Sequence, residues 1–428
     1  MATAATEMAA PSAMAAMAAP SAMVETVVTA AMAAMAATEM VVTEAMAEMA
    51  VTAEMVAMEA TVRKRSMIWL VVASGLPLVV FGQGTARLAP VPTDKLELVT
   101  GPVHQAVTQD DRNATLQLLG RAHDNFSLRS AHTAYHLKVA FTATSLGQTN
   151  YDGDWEMEDV YVPGKGTRWS AKSAAGYQTT RIDSHGKNYA EGTAAAIPLR
   201  LHEARGLLMD PLPAPAYAGR GSVRTASATF RGAAVTCLLL SQNRKPAYPA
   251  TGRGWDESEE CIDPNTGLLQ THSDAPGRYV VYEYAKTPQL DGRTVPQTVT
   301  VTEAGNVVST ITVESLTAIA APDASQFGAS DSMKTGGEAV TMGGAAKLSR
   351  IHSPTGTASA GTVTPVCVLG LLTPAGQLVE AHSLQPSDPN SAAAVADAKT
   401  IDFSPTIPAG AAPQQHLVVV VEKFVSAQ

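Results

Sequence analysis

Charge, aromatic side chains and cysteine are all scarce in this chain of 428 residues: 16% of it is charged, 5% is Phe, Trp or Tyr, and three residues are Cys. Its basic residues are nowhere interleaved with aromatics as a nucleic-acid surface requires, which excludes that class of partner. No glycine-rich loop follows a strand and opens a helix, so no nucleotide cofactor is expected. A nucleophile elbow, a zinc pair and a paired-acid context are also missing, and a reactive side chain needs a base, an orienting group and a charge sink at fixed geometry. The nearest approach is Leu201 to Gly206 (LHEARG), which opens like a zincin helix with His202-Glu203 but carries Gly206 where the second His belongs. A non-enzymatic protein without metal or cofactor is therefore expected.

The first sixty residues lack Lys, Arg and aromatics altogether and hold twelve of the seventeen Met. Such low complexity gives no packed core, and the irregular Met spacing, without His or Cys, gives no soft-metal site. Residues 1–60 read as a tail or as an over-extended start of the reading frame. Residues 61–84 read as an export signal. Arg63, Lys64 and Arg65 form a positive region, Met67 to Gly82 an apolar run broken at Gly75-Pro77, and small residues follow around a cleavage point near Gly84. Sixteen residues are short for a bilayer span, which takes about 20, so cleavage and release to the periplasm or beyond is the first reading. An uncleaved inner-membrane anchor is the alternative. Without the seven Glu of the tail and the three cations of the signal, the formal charge is −5 rather than −9.

After the signal, a helical period over Asn113 to Leu128 gives way to a period of two. Short β-type runs such as AYHLKVAFTAT, DWEMEDVYV and TRWSAKS are separated by Gly, Asn and Asp turns. Alternation puts Asp154, Glu156 and Glu158 on one face of a strand, read as its solvated side, and Trp155, Met157 and Asp159 on the other. A second helix spans Pro198 to Met209, and hairpin strands resume with turns at Asp263–Gly267 and Glu303–Asn306. A long antiparallel sheet with two helices must curl, giving an α+β half-barrel with the helices on its concave side over residues 105–320. Cys237 and Cys261, on strands read as neighbours, are expected to pair in an oxidising compartment. Cys367, in the apolar run VTPVCVLGLL, reads as a small buried hydrophobe. Residues 321–360 are poor in apolar side chains and read as a flexible linker to a small α+β domain at 361–428.

Two resemblances attach to these domains. YHLKVAF, DWEMEDVYVPGKGTRWS, CIDPNTGLLQ and VPQTVTVTEAGNVVSTITVESL, in that order, resemble the lipoprotein-carrier and outer-membrane lipoprotein-sorting proteins. That likeness implies an unclosed barrel holding a lipid-like or lipoprotein ligand, with Leu137, Val139, Phe141, Trp155, Trp169, Tyr177 and Tyr189 as candidate cavity lining. The strand GTVTPVCVLGLLTPAGQLVEAHSL, the helix SAAAVADAK, the unit IDFSP and the strand QHLVVVVEKF resemble the TonB C-terminal domain. This implies docking on an outer-membrane protein by strand addition, with Leu417, Val419 and Val421 on the partner edge. The alternative it carries is an anchored TonB-type energy transducer or a structural spacer.

Overall fold

Period-two alternation places each strand with one face inward. The computed structural model describes residues 98–144, 151–184, 186–193, 197–242, 248, 250–286, 288–320, 324–342, 346–352, 363–404 and 414–425. All of these belong to the unit Thr85–Gln428, and the low-complexity tail and export signal lie outside the described residues. The strands are β1 (His104–Gln105), β2 (Tyr135–Ala143), β3 (Gly153–Val162), β4 (Gly166–Ser173), β5 (Gln178–Ser184) and β6 (Lys187–Gly192). Next come β7 (Ser222–Phe230), β8 (Ala233–Ser241), β9 (Ser258–Ile262), β10 (Leu269–Ser273) and β11 (Arg278–Glu283). A small hairpin, β12 (Gln289–Leu290) and β13 (Arg293–Thr294), precedes β14 (Thr298–Glu303) and β15 (Asn306–Ala318). Apart from that hairpin they form one sheet in the order β1-β7-β8-β9-β10-β11-β14-β15-β2-β3-β4-β5-β6, antiparallel throughout.

Two helices fill the curl. The first, α1 (Gln109–Phe126), starts four residues before the expected Asn113, because the Thr108 hydroxyl accepts from Asp111 N at 3.1 Å and Asp110 and Asp111 suit the positive helix start. The second, α2 (Leu199–Met209), follows Pro198 as expected, and nine of its eleven residues are buried. One apolar core joins Leu119 and Phe126 of α1 and Leu201 and Leu208 of α2 to Leu137, Leu238, Val280 and Ile311 from distant parts of the sheet. The sheet therefore wraps the helices, yet stays open, since the edge strands β1 and β6 do not pair with each other. Its outer face carries the acidic row, where Glu156 meets Lys172 at 2.7 Å and Glu158 meets Lys138 at 3.2 Å. Cys237 and Cys261, register partners on β8 and β9, form the expected disulfide.

The stretch expected to be a linker is in part built into the fold. It contributes α3 (Asp331–Gly336), β16 (Thr341–Met342) and β17 (Ala346–His352). With β18 (Val363–Leu372), β19 (Leu378–Ser383) and β20 (Gln414–Val425) the last two make a five-stranded sheet covered by α4 (Ser391–Ala398). Composition hid β17, whose residues AKLSRIH pair in parallel with β20, a strand far along the chain. Residues 401–404, expected as a short strand, are irregular, with Phe403 buried under α4.

The expected partner edge is also corrected. β20 is an inner strand, antiparallel to β18 on one side and parallel to β16 and β17 on the other. Its backbone groups are thus already engaged, and strand addition needs a free edge. Val419 and Val421 pack with Cys367, Leu369 and Ala275, joined by partly buried Leu417 and Trp255, while Val418 and Val420 face Ala394 and Ala398 of α4. Cys367 is a free, buried thiol in that seam.

Candidate functional site

Strand register builds a cavity on the concave face. One cross-strand row runs Leu137, Asp159, Trp169, Arg181, Ala190 from β2 to β6. The next runs Tyr135, Tyr161, Thr167, Asp183, Asn188. The tight β3–β4 turn fixes this register, and Gly164 supplies the positive φ, +74°, that such a turn needs. Opposite these rows stand Ile197 and, from α2, Leu201, His202, Arg205 and Met209, enclosing a cavity of about 640 Å³. Arg129, exposed, lies at its mouth.

Of the seven residues expected to line a ligand cavity, Trp169 and Tyr189 do so. Leu137, Val139, Phe141, Trp155 and Tyr177 are instead part of the packed core. The physical reason lies farther along the strands, where Phe141 stacks on Trp155 at 5.4 Å and Trp155 meets Tyr177 at 5.5 Å, so aromatic rings fill that end of the curl. The residues that matter most, Arg181 and Arg205, were not singled out from sequence. The available signal was the hairpin register, which sets Asp159 and Arg181 on either side of Trp169.

Two guanidiniums approach the Trp169 ring, Arg205 centred 4.9 Å and Arg181 5.8 Å from it. Arg205 also pairs with the fully buried Asp159 at 3.1 Å. Burial pushes the Asp159 carboxyl up, and Arg205 pulls against it. Arg181, 7% exposed, donates to the Val340 carbonyl at 2.6 Å, and its buried Nε has no hydrogen-bond partner among the described residues. Burial lowers the pKa of Arg181 from its ordinary value. His202 shares a 2.9 Å hydrogen bond with Gln415 of β20, and burial holds its pKa down at about 3, so the ring is neutral. Burial likewise raises Asp210, which His123 approaches at 3.4 Å.

The roof helix is fastened by the second sheet. Glu380 sits at φ +51° in a β19 bulge and accepts from Leu199 N at 2.9 Å, placing a carboxylate at the start of α2. Beside it, Arg200 binds Glu303 through two hydrogen bonds of 2.7 and 2.8 Å and also reaches Glu203. Arg278 joins Glu203, Glu303 and Asp274, and His382 of β19 meets Glu303 at 2.8 Å. His202 and Glu203 of the zincin-like stretch are thus spent on Gln415 and on arginines. Among the described residues the grouping of metal-type ligands is Cys237, Glu259 and Cys261, whose sulfurs are bonded to each other, so the set does not fit an ion.

No family model and no curated protein matches this chain. Among solved structures it is similar to a LolA-superfamily protein from Nitrosomonas europaea, at 9% identity and a TM-score of 0.34, over 49% of this chain and 94% of that one. An outer-membrane lipoprotein-sorting protein domain from Vibrio parahaemolyticus also gives 9% identity and a TM-score of 0.34, over 50% and 97%. LprF from Mycobacterium bovis gives 12% and 0.20, over 50% and 97%. All three TM-scores lie below 0.5, and the reading that follows rests on the geometry of this chain. Among the described residues no helix is long and apolar enough to cross a membrane.

Proposed function

We propose that this chain is an exported envelope protein that holds a lipid-like ligand, free or carried by a lipoprotein, between its curled sheet and α2. The observation that carries this reading is the cavity itself. Its volume of about 640 Å³ falls within the range usual for small-molecule sites, about 300–1,000 Å³. Its lining mixes apolar surface, from Ile197, Leu201, Met209 and the Trp169 ring, with polar groups from Arg181, Asn188, His202 and Arg205. Such a mixed lining suits a molecule with an apolar tail and a polar end. Binding rather than catalysis fits the titratable groups, because Arg205 is committed to Asp159 and the neutral His202 to Gln415.

The test is native mass spectrometry of the gently extracted protein, followed by titration of the stripped protein with an amphiphile. A bound lipid, or one-to-one uptake after stripping, is expected. A well-folded protein that is empty as extracted and takes up no amphiphile sinks the reading. Export is tested separately by sequencing the mature N-terminus, expected near Gly84.

A further inference from the structure

We infer that the cavity takes an amphiphile with an acidic headgroup, a phosphate or a carboxylate, seated against the guanidinium of Arg181. This rests on the reading of the cavity as a ligand site and adds the chemistry of what enters it. Three observations carry it. Arg181 is buried, lines the cavity, and has no carboxylate partner among the described ion pairs. A buried cation without an anion is costly, and the Val340 carbonyl, the Trp169 face and the nearby Tyr177 hydroxyl offset that cost in part. Its Nε is a buried donor left without an acceptor.

The surrounding charges point the same way. Arg205, also against the Trp169 ring, is paired with Asp159, so Arg181 leaves the inner cavity with one uncompensated positive charge. Of the two carboxylates that line the cavity, Asp183 is exposed at the rim and Asp210 is met by His123. A guanidinium offers a planar fork that matches phosphate and carboxylate oxygens, and such charge-assisted bonds are about twice as strong as neutral ones. With the head at Arg181, Leu201 and Met209 of α2 stand across the cavity for the chain.

Calorimetric titration of the full-length protein with decyl phosphate, decanol and inorganic phosphate tests this. The native protein is expected to bind decyl phosphate about tenfold to a hundredfold more tightly than decanol, the range of a charge-assisted hydrogen bond. Arg181→Met is expected to collapse that ratio towards one, and Arg181→Lys to restore part of it. Equal affinity of the native protein for the two decyl compounds overturns the headgroup site while leaving the ligand cavity standing. Failure to bind either overturns both. Inorganic phosphate binding as tightly as decyl phosphate assigns the site to a free anion and overturns the amphiphile. If Arg181→Met does not fold, the native selectivity and the Lys variant still decide the question.

Discussion

His202 on α2 and Gln415 on β20 meet at 2.9 Å although 213 residues separate them, and this bond joins the roof of the cavity to the centre of the second sheet. Burial comes first in keeping the imidazole neutral, and the nearby Arg181 and Arg205 work in the same direction. In the unfolded chain the same ring takes its proton near pH 6.5, against about 3 in the fold. Between those values the unfolded state binds a proton that the folded state refuses, so acid destabilises the fold by at most about 1.4 kcal/mol per pH unit. His202→Gln keeps a hydrogen bond to Gln415 and removes the proton. Melting temperature is expected to fall less steeply between pH 6.5 and 4 in the variant than in the native protein; parallel slopes would show that His202 is not responsible.

The fully buried Glu303 gathers Arg200, Arg278 and His382; burial pushes its carboxyl up, but Arg200, helped by the His382 hydrogen bond, overrides this and holds it well below the usual carboxylate range. Glu303→Gln leaves buried cations without their shared anion. A loss of about 3–5 kcal/mol is expected by chemical denaturation. A loss under about 1 kcal/mol would show that Glu203 and Asp274 compensate.

Much of the architecture was legible from particular residues. The alternation in Tyr135–Ala143 and Gly153–Val162 named both the inward rows and the outer acidic face, and Pro198 with the Asp210-Pro211 stop marked α2. What escaped had its cause far away in sequence. β17 is ordered by β20, some seventy residues on, and the four valines of β20 read equally well as an edge or as an inner strand. Arg181 and Arg205 carried no signal of their own, because a strand pattern does not reveal that α2 will be laid over its inner face.

Trp169 offers its ring to two cations, Arg205 and Arg181. Trp169→Ala removes the ring, opens a cavity and loses both cation–π contacts, with an expected cost of about 3–5 kcal/mol. Urea unfolding monitored by far-ultraviolet circular dichroism checks this, and a midpoint unchanged from the native protein would refute it.

Cys237 and Cys261 tie neighbouring strands 24 residues apart in sequence, and both are fully buried. The double variant Cys237→Ala, Cys261→Ala is expected to lose about 2–4 kcal/mol, mainly because its unfolded chain is freer. Comparing denaturation midpoints with and without reductant separates the bond from the side chains. Addition of reductant should lower the midpoint of the native protein towards that of the variant and leave the variant unmoved.

The burial of α2 bears finally on how fast anything bound beneath it can leave. With Leu199 capped by Glu380, Arg200 tied to Glu303 and His202 to Gln415, lifting the helix would break three polar ties at once and part the two sheets. Under the proposed function, a ligand would therefore leave past the exposed Arg129 rather than beneath a lifted α2. Its residence time would then be set without any movement of the roof helix.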